Sequence, residues 1–143
     1  MEEKVLLVDD EKKFLEVMSE RLTTRGVTVT TATSAAEALE QIEANLFDAV
    51  ILDLKMPGMD GIEALKRMKA KRPELQIILL TGHATVEKGV EAIKLGAMDF
   101  VEKPADLESL SEKIKQAKQK KMLIVDEANR ETVQGVLKRW GMW

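Results

Sequence analysis

Four short, largely apolar runs each end on a polar or charged residue, a fifth short segment alternates, and each of the five is followed by a stretch with helical spacing. Val5-Leu6-Leu7-Val8 leads into Asp9-Asp10, and Ala49-Val50-Ile51-Leu52 leads into Asp53. Ile77-Ile78-Leu79-Leu80 leads into Thr81-Gly82-His83, and Met98-Asp99-Phe100-Val101 leads into Glu102-Lys103-Pro104. Val27-Thr28-Val29-Thr30 alternates instead, as an edge strand does. Runs this short, rich in β-branched residues, read as buried strands rather than helices.

The intervening stretches carry apolar residues three and four positions apart. Phe14, Val17, Met18 and Leu22 recur until Gly26, a natural helix stop. Ser34 with Glu37 predicts a capping box ahead of Ala35, Ala38, Leu39 and Ile42. Ile62, Leu65 and Met68 follow the turn-rich Met56–Gly61 loop and end before Pro73. Val86, Val90 and Ile93 run to Gly96, and Leu107, Leu110, Ile114 and Ala117 mark a fifth helix. Alternating strands and helices predict an α/β fold, a doubly wound parallel sheet with helices on both faces.

In such sheets ligands bind beyond the carboxyl ends of the strands. That rule selects Asp9, Asp10, Asp53, Thr81 and Lys103. Three carboxylates at one edge repel one another, and a hard divalent cation such as Mg²⁺ resolves the repulsion through oxygen ligands. Asp-Asp alone is equally a pair of solvated strand ends, and a single Thr or Lys is ordinary surface. Together, the acids, a hydroxyl and an ammonium form a set suited to phosphoryl transfer, with an Asp carboxylate as nucleophile.

Composition narrows the alternatives. The 143 residues correspond to one domain, long enough to bury a core without staples. There is no Cys and one His, which excludes disulfides, thiol catalysis and a His-rich zinc site. Aromatics are 3% and net charge is −3, against a nucleic-acid footprint. No apolar run approaches a membrane span, so a cytoplasmic location is expected, with no direct nucleic-acid or membrane partner.

Val8-Asp9-Asp10-Glu11, Leu52-Asp53-Leu54-Lys55-Met56-Pro57-Gly58-Met59-Asp60-Gly61, Leu80-Thr81-Gly82, Gly96–Phe100 and Lys103-Pro104 resemble the receiver domain of two-component response regulators. Thr81–Glu87 and Ala92–Phe100 are similar to receivers of nitrogen-regulation-type activators. The resemblance covers about residues 4–121. It implies the flavodoxin-like strand order 2-1-3-4-5, with Asp53 as phosphoacceptor. It implies a Mg²⁺ site on Asp9, Asp10, Asp53 and the Lys55 backbone carbonyl. Thr81 and Lys103 are then the phosphoryl contacts, Thr81 and Phe100 the switch pair, and Lys103-Pro104 a cis bond. Lys55 and His83 occupy positions that tune the phosphoryl lifetime in that family. Implied partners are a sensor histidine kinase or phosphotransfer protein and a downstream output domain or protein. No activity beyond self-phosphorylation and autodephosphorylation is expected. The rivals are an aspartate-based Mg²⁺-dependent phosphatase, a flavin carrier, and a degenerate receiver acting only as a docking module. The phosphatase usually has a second Asp where Lys55 stands, and the flavin carrier needs a phosphate-cradling loop where Asp9-Asp10 stand.

Residues 1–121 thus form the expected domain, and 122–143 remain. Met122-Leu123-Ile124-Val125-Asp126-Glu127 echoes the first strand and its acids, and Val133, Val136, Leu137 and Trp140 precede Gly141 at helical spacing. The tail resembles the start of a second receiver without a phosphoacceptor. It reads as a truncated repeat, as an ordered apolar interaction segment, or as a continuation of the fifth helix, with the second preferred. Leu123, Ile124, Val136, Leu137, Trp140 and Trp143, if uncovered, raise the hypothesis of a homodimer.

Overall fold

The computed structural model describes residues 2–54, 58–82, 86–104 and 106–141. Its strands are β1 (Lys4–Val8), β2 (Thr28–Ala32), β3 (Ala49–Leu52), β4 (Gln76–Thr81) and β5 (Asp99–Glu102). Between them run α1 (Lys12–Thr24), α2 (Ala35–Ala44), α3 (Gly61–Lys71) and α4 (Val86–Lys94), and α5 (Leu107–Arg139) follows β5. The strands form one parallel sheet in the order β2-β1-β3-β4-β5. This is the doubly wound α/β fold expected, in the expected order.

The continuous apolar runs become the inner strands because both their faces are covered. Every residue of β3 and β4 is buried. Side chains alternate across a strand, so each inner strand feeds two cores. Leu6, Val8, Val50, Leu52, Ile77 and Leu79 pack against α2 and α3 on one face. Val5, Leu7, Ala49, Ile51, Ile78 and Leu80 pack against α1 and α5 on the other. Full burial of each of these Val, Leu and Ile side chains contributes roughly 1.5–3 kcal/mol. β2 lies at the edge, and its mixed burial explains its alternation. It starts one residue later and runs two residues further than the alternating segment suggests.

The helix boundaries follow from local chemistry. At Gly26, with φ of 84°, the chain turns out of α1 in a Schellman arrangement. The Gly26 amide donates to Thr23 O at 3.0 Å, and the Val27 amide donates to Leu22 O at 3.1 Å. Ser34 Oγ accepts from the Glu37 amide at 3.1 Å, the first half of the expected capping box. The reciprocal half differs: the Glu37 carboxylate accepts from the hydroxyl (3.0 Å) and amide (3.4 Å) of Thr33, one residue upstream of the cap. Thr33 wins because its hydroxyl adds a second donor beside its amide.

The first part of the tail takes the last of its three expected forms, a continuation of the fifth helix. Met122–Glu127 forms no strand, and α5 continues unbroken through the expected boundary at Lys121 to Arg139. No Gly or Pro lies between Pro104 and Gly135 to stop the helix. A strand also needs a neighbour to satisfy its backbone, whereas a helix satisfies its own. β1, with a similar sequence, has neighbours on both sides. Met122, Leu123, Ile124 and Val125 are exposed on this helix, and Trp140 is exposed just past its end. The side chains of Val133 and Val136, and all of Trp143, lie outside the described residues.

At the foot of the sheet the body holds α5. Lys121 Nζ lies 3.5 Å from Asp48 Oδ1, with both side chains mostly buried. Asp48 Oδ2 also accepts from the Lys4 amide at 2.8 Å, and Lys118 donates to Glu2 O at 3.2 Å. No helix among the described residues is long and apolar enough to cross a membrane.

Candidate functional site

The register of the sheet brings the selected residues to one edge. Val8 of β1 is level with Leu52 of β3, and Leu52 is level with Leu79 of β4. Asp9 and Asp53 are the next residues along their chains and emerge side by side. Their backbones are tied in place: the Asp53 amide donates to Val8 O at 3.0 Å, and the Asp9 amide donates to Ala32 O at 3.1 Å. Thr81 ends β4 and is buried. The Lys103 amide donates to Thr81 O at 2.8 Å, which fixes where the Lys103 side chain begins.

Asp9 is 1% exposed and Asp53 6% exposed, whereas Asp10 is open to solvent. Carboxylate oxygens of the three lie within 4.8 Å of one another. Close carboxylates in a buried setting need a cation, and Lys103 supplies one. Its Nζ donates to Asp9 Oδ2 at 2.7 Å and lies 3.9 Å from Asp53 Oδ2. The other Asp9 oxygen accepts from the Glu11 amide at 2.9 Å. The Lys103 ammonium also lies 4.1 Å from the centroid of the Phe14 ring.

The donor set fits a hard divalent cation. It offers only carboxylate oxygens, with one acid at the solvent boundary where an ion can enter and keep its waters. Asp9, Asp10 and Asp53 therefore form an acidic pocket consistent with metal binding. The further ligand expected at the Lys55 carbonyl lies outside the described residues, as does His83.

Phe100 sits in β5, level with Leu79 and half-buried against the core on the α2–α3 face. Its ring faces Gly89 of α4, where an added Cβ would lie 3.4 Å from Cδ1. The Lys103-Pro104 bond is cis, as expected.

Two residues of structural consequence escaped the sequence reading. An added Cβ at Gly61 would lie 2.6 Å from Leu54 Cα and 2.7 Å from Leu54 O. Gly61 thus lets α3 press against the chain just after Asp53. Asp60, the residue before it, caps that helix, accepting from the Ile62 amide at 3.1 Å. The other is Phe14, whose helical spacing with Met18 and Leu22 predicts only a place on α1. No spacing rule reports a ring over an ammonium.

The family profile for the response regulator receiver domain matches residues 5–115. The C4-dicarboxylate transport transcriptional regulatory protein DctD of Rhizobium meliloti is 37% identical over 122 residues, 85% of this chain and 26% of its own. The chain thus spans about a quarter of the length of that curated relative. Among solved structures, a response regulator receiver domain protein from Clostridium thermocellum superposes with a TM-score of 0.81 at 35% identity, covering 85% of this chain and 98% of that one. NtrX from Brucella abortus superposes with a TM-score of 0.82 at 32% identity, covering 90% of this chain and 29% of that one. With its fold, its acidic edge and these likenesses, the chain belongs to the response regulator receiver domain family.

Proposed function

We propose that this domain is the phosphoacceptor of a two-component relay and takes a phosphoryl group on Asp53. The observation that carries this reading is the ammonium of Lys103 held between Asp9 and Asp53 at the carboxyl edge of the sheet. An Asp53 carboxylate oxygen attacks the phosphorus of a phosphohistidine on a sensor kinase or phosphotransfer protein. The new O–P bond forms as the P–N bond breaks, and the imidazole leaves with the electron pair and takes up a proton. Asp9, Asp10 and Asp53, with the Lys55 carbonyl, would hold Mg²⁺, which supplies charge neutralisation on the phosphoryl oxygens.

Lys103 is already 3.9 Å from Asp53, so a short movement of its ammonium from Asp9 brings it onto a phosphoryl oxygen. Thr81, buried at the end of β4, offers its hydroxyl to another. Its movement is followed by Phe100, which repacks beside Gly89 and alters the face made by α4, β5 and α5. Phosphate changes the population of that face only by its unequal interaction with the two states. Water ends the cycle by cleaving the acyl phosphate, at a rate set by Lys55 and His83. The chain has no activity on other substrates in this reading, and its output passes to a downstream domain or protein.

The exposed apolar residues of the α5 extension support self-association as a homodimer. Acetyl phosphate with Mg²⁺ tests the phosphoacceptor reading. The label should be an acyl phosphate that hydroxylamine removes, and a hydroxylamine-resistant label would place it on another kind of side chain.

A further inference from the structure

We infer that Phe14 is a positioning residue for the Lys103 ammonium, an inference that rests on the assignment of Asp53 as phosphoacceptor. Lys103 carries a compact charge on a flexible four-carbon stem. Asp9 and Asp53 draw that charge inward from one side, at 2.7 and 3.9 Å. The Phe14 ring stands on another side, its centroid 4.1 Å from Nζ, well inside the ~6 Å range in which a ring face attracts a cation. With acids and ring together, the Lys103 side chain is only 18% exposed.

The position of Phe14 suits this role. It lies in the first turn of α1, next to Leu15 and one turn before Met18, both of which are buried in the core. Phe14 itself is half-buried and packs against that same core, together with Val101 and Leu107. The ring is therefore held by packing from below while one face meets the ammonium. Packing alone would be served by a leucine or methionine, but only an aromatic ring attracts the charge. When a phosphoryl group reaches Asp53, the ammonium must leave Asp9 and reach the new oxygen. The ring bounds one side of Nζ and favours the arc between those partners. It also keeps water away from one side of the charge, which strengthens the pull of Lys103 on the phosphoryl oxygens.

The test replaces Phe14 in the full chain by phenylalanines bearing one, two and three ring fluorines, which weaken the ring face stepwise with little change of shape. Phe14→Tyr and Phe14→Leu complete the series. Initial phosphorylation rates are measured with acetyl phosphate at saturating Mg²⁺, and Mg²⁺ affinity is measured separately by calorimetry. The rate should fall stepwise by about three- to tenfold in all, with Phe14→Leu lowest and Phe14→Tyr near wild type. Mg²⁺ affinity should stay within about twofold, and in a Lys103→Met background the fluorine series should be flat. A flat series in the wild-type background, or an equal slope without Lys103, overturns the inference while leaving the Asp53 assignment intact. A wild-type chain that takes no phosphoryl group overturns both.

Discussion

Lys103 donates to Asp9 across 2.7 Å, so the residue that would grip a phosphoryl group is first engaged by an acid of the cation pocket. The ammonium and a divalent ion in that pocket would therefore act on the same carboxylate, and each would weaken the other's hold. Lys103→Met should tighten Mg²⁺ binding by about an order of magnitude, because a like charge beside the pocket is removed. The same variant should slow phosphorylation by acetyl phosphate. Calorimetric titration checks the first effect and the initial rate checks the second. Weaker Mg²⁺ binding in Lys103→Met would contradict the competition.

Gly61→Ala should be destabilising by about 1–3 kcal/mol, since the added methyl meets Leu54 backbone atoms rather than a side chain that can swing aside. The displaced chain is the segment directly after Asp53, so phosphorylation should slow as well. Denaturant unfolding measures the first change. An unchanged midpoint would mean that the Leu54 contact relaxes freely.

Asp48→Asn should release the foot of α5. The substitution breaks the mostly buried Asp48–Lys121 ion pair and weakens the bond from the Lys4 amide. A loss of about 1–3 kcal/mol is expected, together with faster amide exchange in α5 beyond Ala117. Equal exchange in both proteins would show that the packing of Leu110, Ile114 and Ala117 and the remaining polar ties hold the helix without Asp48.

Removing residues 122–143 should abolish self-association, because the exposed Leu123 and Trp140, at 70% and 73% exposure, go with it. Sedimentation of the full chain and of the chain ending at Lys121 provides the comparison. The same oligomeric state in both would place any self-contact on the globular body.

Most of the sheet was legible because its signal is local and repeated. Val50-Ile51-Leu52 and Ile77–Leu80 are apolar without interruption, the pattern of a short strand covered on both faces, and turn signals bound them. The residues ending those strands fall at one edge by topology, so parallel strand order alone brings Asp9, Asp53, Thr81 and Lys103 to the same edge. The Met122–Glu127 segment misled because it repeats the composition of β1. Strand formation depends on neighbours, and similar residues become strand at β1 and helix in α5. The Gly61 approach to Leu54 and the ring of Phe14 over Lys103 were not legible for a related reason. Both are contacts through space between segments, and a one-dimensional pattern records only which face is apolar.

The most direct measurement of the central claim is the intact mass of the chain after incubation with acetyl phosphate and Mg²⁺, run beside Asp53→Asn. The account predicts one added phosphoryl group on the wild-type chain and none on the variant. No addition to the wild type, or an equal addition to Asp53→Asn, would contradict it.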